Sequence, residues 1–369
     1  MIELPLGALK EALEIAFYSK TVPIVRSSPG IGKTSIARQL AADLNLKVID
    51  IRLAQCDPTD LNGFPQITNG KASYVPMDTF PLEGDELPIK EAEVTKVVAG
   101  KTQVVKPAVR YNGWMIIYDE ITSASKAVQA AAYKILLEKE VGQRKLHRNV
   151  FQIGLGNKET DNAIVQRMST ALQSRMQHFT VTTDHTAWVN HAANSGFDYR
   201  VIAFIQSRPE LLNKFNPNHN DHTFPCERTW EFVSQTVKGI EKYQTKKNKA
   251  VSIGHEHQYL IAGCVSEGPA LEFISFCQIY GQLVPLTSII ASPMTVPVPH
   301  EPSAVFAMAS LIGEKIDDTN VDPLMKYLSR LPLENQIIAV RMFYKSKPSL
   351  TANPAVSSWI TRNVNNLRD

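Results

Sequence analysis

The most legible chemistry in the chain lies in SSPGIGKTS, residues 27–35. Gly30 and Gly32 permit a tight loop whose backbone N–H groups can wrap phosphate oxygens. Lys33 offers an ammonium for β and γ phosphates, and Thr34 a hydroxyl for Mg²⁺. Pro29, Ile31 and Ser35 complete the loop. The pattern G-x-x-x-x-G-K-[ST] wants a glycine where this chain has Ser27, which is small enough to let the loop leave its strand. A glycine-rich strand–helix turn carrying an exposed lysine would look much the same, so other segments must decide.

Two do. WMIIYDEI, residues 114–121, is an apolar strand ending in adjacent carboxylates. Asp119 is placed to hold Mg²⁺ together with Thr34, and Glu120 to polarise an attacking water. The competing reading is that the pair only caps a helix starting at Ser125. Tyr118 is bulkier and more polar than the aliphatic residue usual before such an aspartate. FQIGLGNKETD, residues 151–161, is a third strand ending at Asn157, whose amide could orient the same water, although asparagine is also a common turn former.

The elements that must position these groups alternate. An amphipathic helix carries Leu6, Leu9, Leu13, Ala16 and Phe17 on one face. Strands are expected over Val22–Ser28, Leu46–Ala54 and Phe151–Leu155, with helices over Lys33–Leu44, Ser125–Glu138 and Ala163–Gln173. Alternation of this kind predicts an α/β fold with a parallel sheet covered on both faces, its site beyond the carboxyl ends of the strands. Residues 83–112 are polar, without firm periodicity, and are expected to project as an insert. From about residue 184 the pattern turns helical. SPMTVPVPHEPSA, residues 292–304, reads as a connector to further helices.

Composition sets the outer limits. Of 369 residues, 44% are hydrophobic and 20% charged, an ordinary soluble-globular balance. The 39 basic and 36 acidic residues leave a net charge of +3, which points neither to nor away from nucleic acid. Four scattered cysteines form no C-x-x-C pair and read as reduced thiols. Glu3, Glu11 and Glu14 do not fit a secretory leader, and the apolar run 283–298 is interrupted by prolines. A cytoplasmic protein is expected. His219-x-x-His222 and His255-x-His257 lack further ligands at recognised spacing, and KYQTKKNK at 242–249 reads as an exposed loop.

With the loop, the acidic strand and the asparagine strand in this order, the chain resembles AAA+ ATPases, specifically the MoxR-type branch, from about residue 5 to about 290. The resemblance implies a P-loop NTPase αβα core over residues 1–182, a helical lid over 183–292, and a connector with C-terminal helices over 293–369. It also implies ATP and Mg²⁺ as cofactors. ALQSRMQHF, residues 171–179, is similar to the segment bearing the arginine finger, which makes Arg175 the candidate, with Arg167 a rival eight residues away. FPCERTWEFVS, residues 224–234, resembles the sensor-2 helix, with Arg228 in the sensing position and Glu227 where the family more often has proline. CDPTDLNGFPQITNGKASYVP, residues 56–76, resembles the helix-2 insert.

LEKEVGQRKLHRNV, residues 137–150, resembles a hairpin that faces the ring pore, with Gly142 at its turn and Lys139, Arg144, Lys145 and Arg148 as cations; a plain solvated hairpin fits those residues equally. The resemblance implies a homo-oligomeric ring, usually a hexamer, acting on a protein client, often with a von Willebrand factor A-domain partner. A nucleic-acid motor or loader, and a nucleotide-gated scaffold with little turnover, are the alternatives.

Overall fold

The computed structural model describes residues 2–92, 94–98, 101–161, 168, 173–281 and 283–363. These divide into two compact units, one comprising Met1–Asp184 with Asn216–His219, the other His185–Phe215 with Asn220–Asp369.

The first unit begins with β1 (Glu3–Pro5) and α1 (Leu6–Tyr18), and then β2 (Pro23–Ser27), α2 (Lys33–Asp43) and β3 (Leu46–Arg52). A short helix α3 (Pro58–Asn62) leads into the hairpin of β4 (Phe64–Thr68) and β5 (Lys71–Val75), which turns at Asn69 and Gly70, both at positive φ. The stretch expected to be an irregular insert contains two antiparallel pairs. β6 (Ile89–Glu91) pairs with β9 (Val109–Arg110), and β7 (Val94–Val98) with β8 (Lys101–Lys106). Next come β10 (Gly113–Asp119), α4 (Lys126–Glu138), the short hairpin β11 (Glu140–Val141) and β12 (Arg144–Lys145), β13 (Val150–Asn157) and β14 (Gln177–Thr182). The helix expected over Ala163–Gln173 falls almost entirely outside the described residues.

Six strands form one parallel sheet in the order β1-β14-β2-β13-β10-β3. The interior strand β10 is buried from Gly113 to Tyr118 because helices cover both faces, which is why its sequence is continuously apolar rather than alternating. The alternation persists in space. Met115 and Ile117 join the core beneath α1 and α2 with Leu9, Leu13 and Leu40, while Trp114, Ile116 and Tyr118 join the core beneath α4 with Val128, Ala132 and Ile135. The amphipathic face read in the first helix is the buried one: Leu6, Leu9, Leu13, Ala16 and Phe17. The chain steps from β2 to the far edge strand β3, leaving β13 beside β2. Ligand crevices in open α/β sheets lie at such a switch, outside the carboxyl ends of the strands.

The second unit is helical among its described residues, and both segments 183–292 and 293–369 contribute to it. One cluster gathers Phe204, Trp230 and Phe273, with the Trp230 indole donating to the Leu211 carbonyl at 2.8 Å. Another gathers Tyr327, Phe343 and Trp359.

Candidate nucleotide site

The phosphate loop leaves β2 at Ser27 and enters α2 at Lys33. Gly30 sits at φ 81° and Gly32 at φ 99°, a left-handed region costly for side-chain-bearing residues, so the two glycines give the loop its turn. Gly32 is also the N-cap of α2, which leaves the first N–H groups of the helix facing the loop, an arrangement suited to an anion.

Three strand ends converge on this loop. β13 lies beside β2 with Asn157 level with Ser27, and β10 lies beside β13 with Tyr118 level with Gly154. Lys33 is buried, and its ammonium donates to Ser27 Oγ at 2.8 Å, Ser27 O at 3.3 Å, Ser28 O at 3.4 Å and Asn157 Oδ1 at 3.3 Å. Thr34 Oγ1 donates to Asp119 Oδ2 at 3.0 Å, and the Glu120 N–H to Asp119 Oδ1 at 2.9 Å. Hydroxyl and carboxylate are hard oxygen ligands of the kind Mg²⁺ takes, so Thr34 and Asp119 fit that ion. Glu120 stands exposed at φ 57°, a strained conformation for a glutamate, costing of order 1–3 kcal/mol and found disproportionately at functional sites.

The competing role for the acidic pair, capping the next helix, belongs instead to Ser125, whose Oγ accepts from the Val128 N–H at 3.3 Å. Asn157 does not simply open a turn. Its backbone N–H donates to Thr122 Oγ1 at 3.0 Å while its side-chain oxygen meets Lys33. A Cβ on Gly156 would lie 2.6 Å from Thr122 Cγ2, so glycine there is what lets Thr122 reach the strand end.

Sequence reasoning undervalued three residues. Ser27 is completely buried and supplies the nearest acceptor for Lys33 rather than merely tolerating the loop. Thr122 holds the end of β13, a role visible only once β10 and β13 are neighbours. Tyr118, odd in sequence, donates its hydroxyl to Gln152 Oε1 at 2.9 Å, and Gln152 Nε2 in turn reaches the Ile135 and Leu136 carbonyls of α4. That chain satisfies a buried polar group and ties two strands to the covering helix. Burial raises the Tyr118 phenol far above its ordinary range, so it stays a neutral donor.

Arg175 stands apart from this cluster. Arg175 is exposed just before β14, whose Gln177 pairs with Pro23 at the start of β2. It therefore lies at the amino end of the sheet, and the four residue steps from Pro23 to Ser27 along β2 alone put roughly 13 Å between that level and Ser27. Arg167 lies outside the described residues. Arg228 belongs to the second unit, exposed in the first turn of the helix Glu227–Lys246. Its neighbour Glu227 turns inward, where Oε2 accepts from Asn213 Nδ2 at 2.9 Å.

Residues 28–176 match the family model of the AAA domain (dynein-related subfamily). Over those residues the first unit has the P-loop αβα fold of an AAA domain, and a helical C-terminal region follows in the sequence. Among curated proteins none matches the chain. Two solved structures are similar at 12% identity. One, from Cytophaga hutchinsonii and described as a "putative ATPase", has a TM-score of 0.32 over 92% of this chain and 79% of that one. The other, a mutant of Thermotoga maritima RuvB, has a TM-score of 0.37 over 88% of this chain and 86% of that one. No helix among the described residues is long and apolar enough to cross a membrane.

Proposed function

We propose that the protein is a MoxR-type AAA+ ATPase that hydrolyses ATP to ADP and phosphate, driving chaperone-like remodelling of a protein client as a homo-oligomeric ring, most simply a hexamer. One observation supports this above all: Lys33, Thr34, Asp119 and Asn157 meet at a single strand-end crevice behind a glycine loop. In the proposal, residues Pro29–Ser35 wrap the phosphates and Lys33 exchanges Ser27 and Asn157 for phosphate oxygens. Thr34 and Asp119 hold Mg²⁺, which when bound neutralises charge on the β and γ oxygens. Glu120 polarises the attacking water and Asn157 orients it.

Arg175, remote from its own loop and exposed, serves the nucleotide of a neighbouring copy, where a guanidinium fork matches the charge developing on the phosphoryl group. Arg228 reports nucleotide state to the helical unit. A partner with a von Willebrand factor A domain and a cytoplasmic location accompany this branch reading. Subunit mixing tests the arrangement. Arg175→Ala and Glu120→Gln proteins, each impaired alone, recover part of the phosphate release when combined, because some interfaces then pair an intact arginine with an intact glutamate. No recovery at any ratio contradicts action between copies.

A second reading, a nucleic-acid motor of the same class, draws on the hairpin after α4, where Lys139, Arg144, Lys145 and Arg148 are all exposed. Binding to single- or double-stranded DNA whose logarithm falls steeply with salt would favour it.

A further inference from the structure

At the opposite end of the sheet from the phosphate loop lies a half-open cavity of about 760 Å³, a volume within the range of small-molecule sites. Its floor is made where strands begin: Val22 just before β2, Leu46 opening β3, Asn112 just before β10 and Val150 opening β13. Phe17 at the end of α1 and Phe151 supply an aromatic wall, their ring centroids 5.1 Å apart and the planes tilted by 51°. A third ring can pack against such a pair edge-on or offset.

The side-chain amide nitrogens in the wall are already committed. Asn112 Nδ2 donates to the Leu44 carbonyl and Asn149 Nδ2 to the Asn112 carbonyl, each at 2.9 Å. Thr21 Oγ1 lies within hydrogen-bond distance of both the Ala16 carbonyl and Gln177 Oε1, and Gln152 is held by Tyr118 and α4. At the mouth stand the exposed Tyr18 and a set of charges. Lys20, Lys139 and Arg148 are exposed there and make no ion pair among the described residues, against the one acid, Glu14. Largely apolar walls whose amide nitrogens are spent select an apolar body, and a rim with a surplus of two cations selects an anionic head.

We propose that this cavity binds an amphipathic organic anion, a small molecule with an aromatic body and a single carboxylate or sulfonate head. The body lies against Phe17 and Phe151 and the head faces Lys139 and Arg148. The site owes nothing to the nucleotide reading, since its residues belong to the other end of the sheet.

Two fluorescent probes that share a ring system but differ in charge test it on the full chain without nucleotide. Anilinonaphthalene sulfonate binds saturably, one-to-one, and about tenfold tighter than neutral N-phenylnaphthylamine. The double variant Lys139→Glu/Arg148→Glu, altered only at exposed positions, loses roughly tenfold in sulfonate affinity and leaves the neutral probe within about twofold. Leu44→Trp, which fills the cavity from its half-buried wall, removes both probes. Sulfonate binding unchanged by the charge reversal overturns the assignment of the head. Both probes binding Leu44→Trp as they bind the wild type overturns the cavity itself, with the melting curve confirming that each variant is folded.

Discussion

At the carboxyl end of the central sheet, polar groups are tied to one another. Lys33 rests on Ser27 and Asn157, Thr34 on Asp119, and Asn157 on Thr122. The backbone there is bent into left-handed conformations at Gly30, Gly32 and Glu120. At the amino end, the amide nitrogens are consumed by the wall, and Lys20, Lys139 and Arg148 make no ion pair among the described residues around a largely apolar hollow. The same sheet runs between the two. The difference therefore comes from what leaves each strand end. A glycine loop and helix N-terminus face one end, and the ends of α1 and α4 face the other. A site built of mutually satisfied polar groups must break bonds to accept a ligand, whereas an apolar hollow must only lose water.

Substitutions that touch only one end sharpen this contrast. Glu120→Gln removes the carboxylate that acts on water and lowers phosphate release by about 10²–10⁴-fold, with ATP affinity and sulfonate-probe binding little changed; equal turnover by the two proteins would remove Glu120 from the chemistry. Gly156→Ala drives a methyl into Thr122, whose nearest atom lies 2.6 Å from the added carbon. It costs about 1–3 kcal/mol, read as a lower melting temperature, and loosens Asn157. The smallest effect is at Ser27. Removing its hydroxyl in Ser27→Ala deletes the closest resting acceptor of Lys33 and tightens ATP by about three- to tenfold, while adenosine, which has no phosphates, binds as before. Weaker ATP binding in that variant would mean the hydroxyl holds Lys33 in its working position instead.

The features legible in sequence were those whose cause is local. The run Trp114–Tyr118 announced a strand covered on both faces, and the carboxylates after it announced the strand end. The loop Gly30–Thr34 carries its backbone requirement in its glycines. Other features depend on partners far along the chain. β1 is three residues containing a proline, too short for any pattern, and exists because β14 offers it an edge. β6 and β9 are exposed along their length, so no buried face imprinted a period on residues 83–112. Tyr118 looked misplaced until Gln152, 34 residues on, received its hydroxyl. Ser27 looked like a lapse from the loop pattern because the pattern describes the backbone, while its contribution is a side-chain oxygen.

The account stands on Lys33 being the group that engages a triphosphate. Calorimetric titration of Mg·ATP into the wild type and into Lys33→Ala measures that directly. The account predicts saturable heat from the wild type and none from the variant at the same concentrations. The same dissociation constant for both proteins would contradict it.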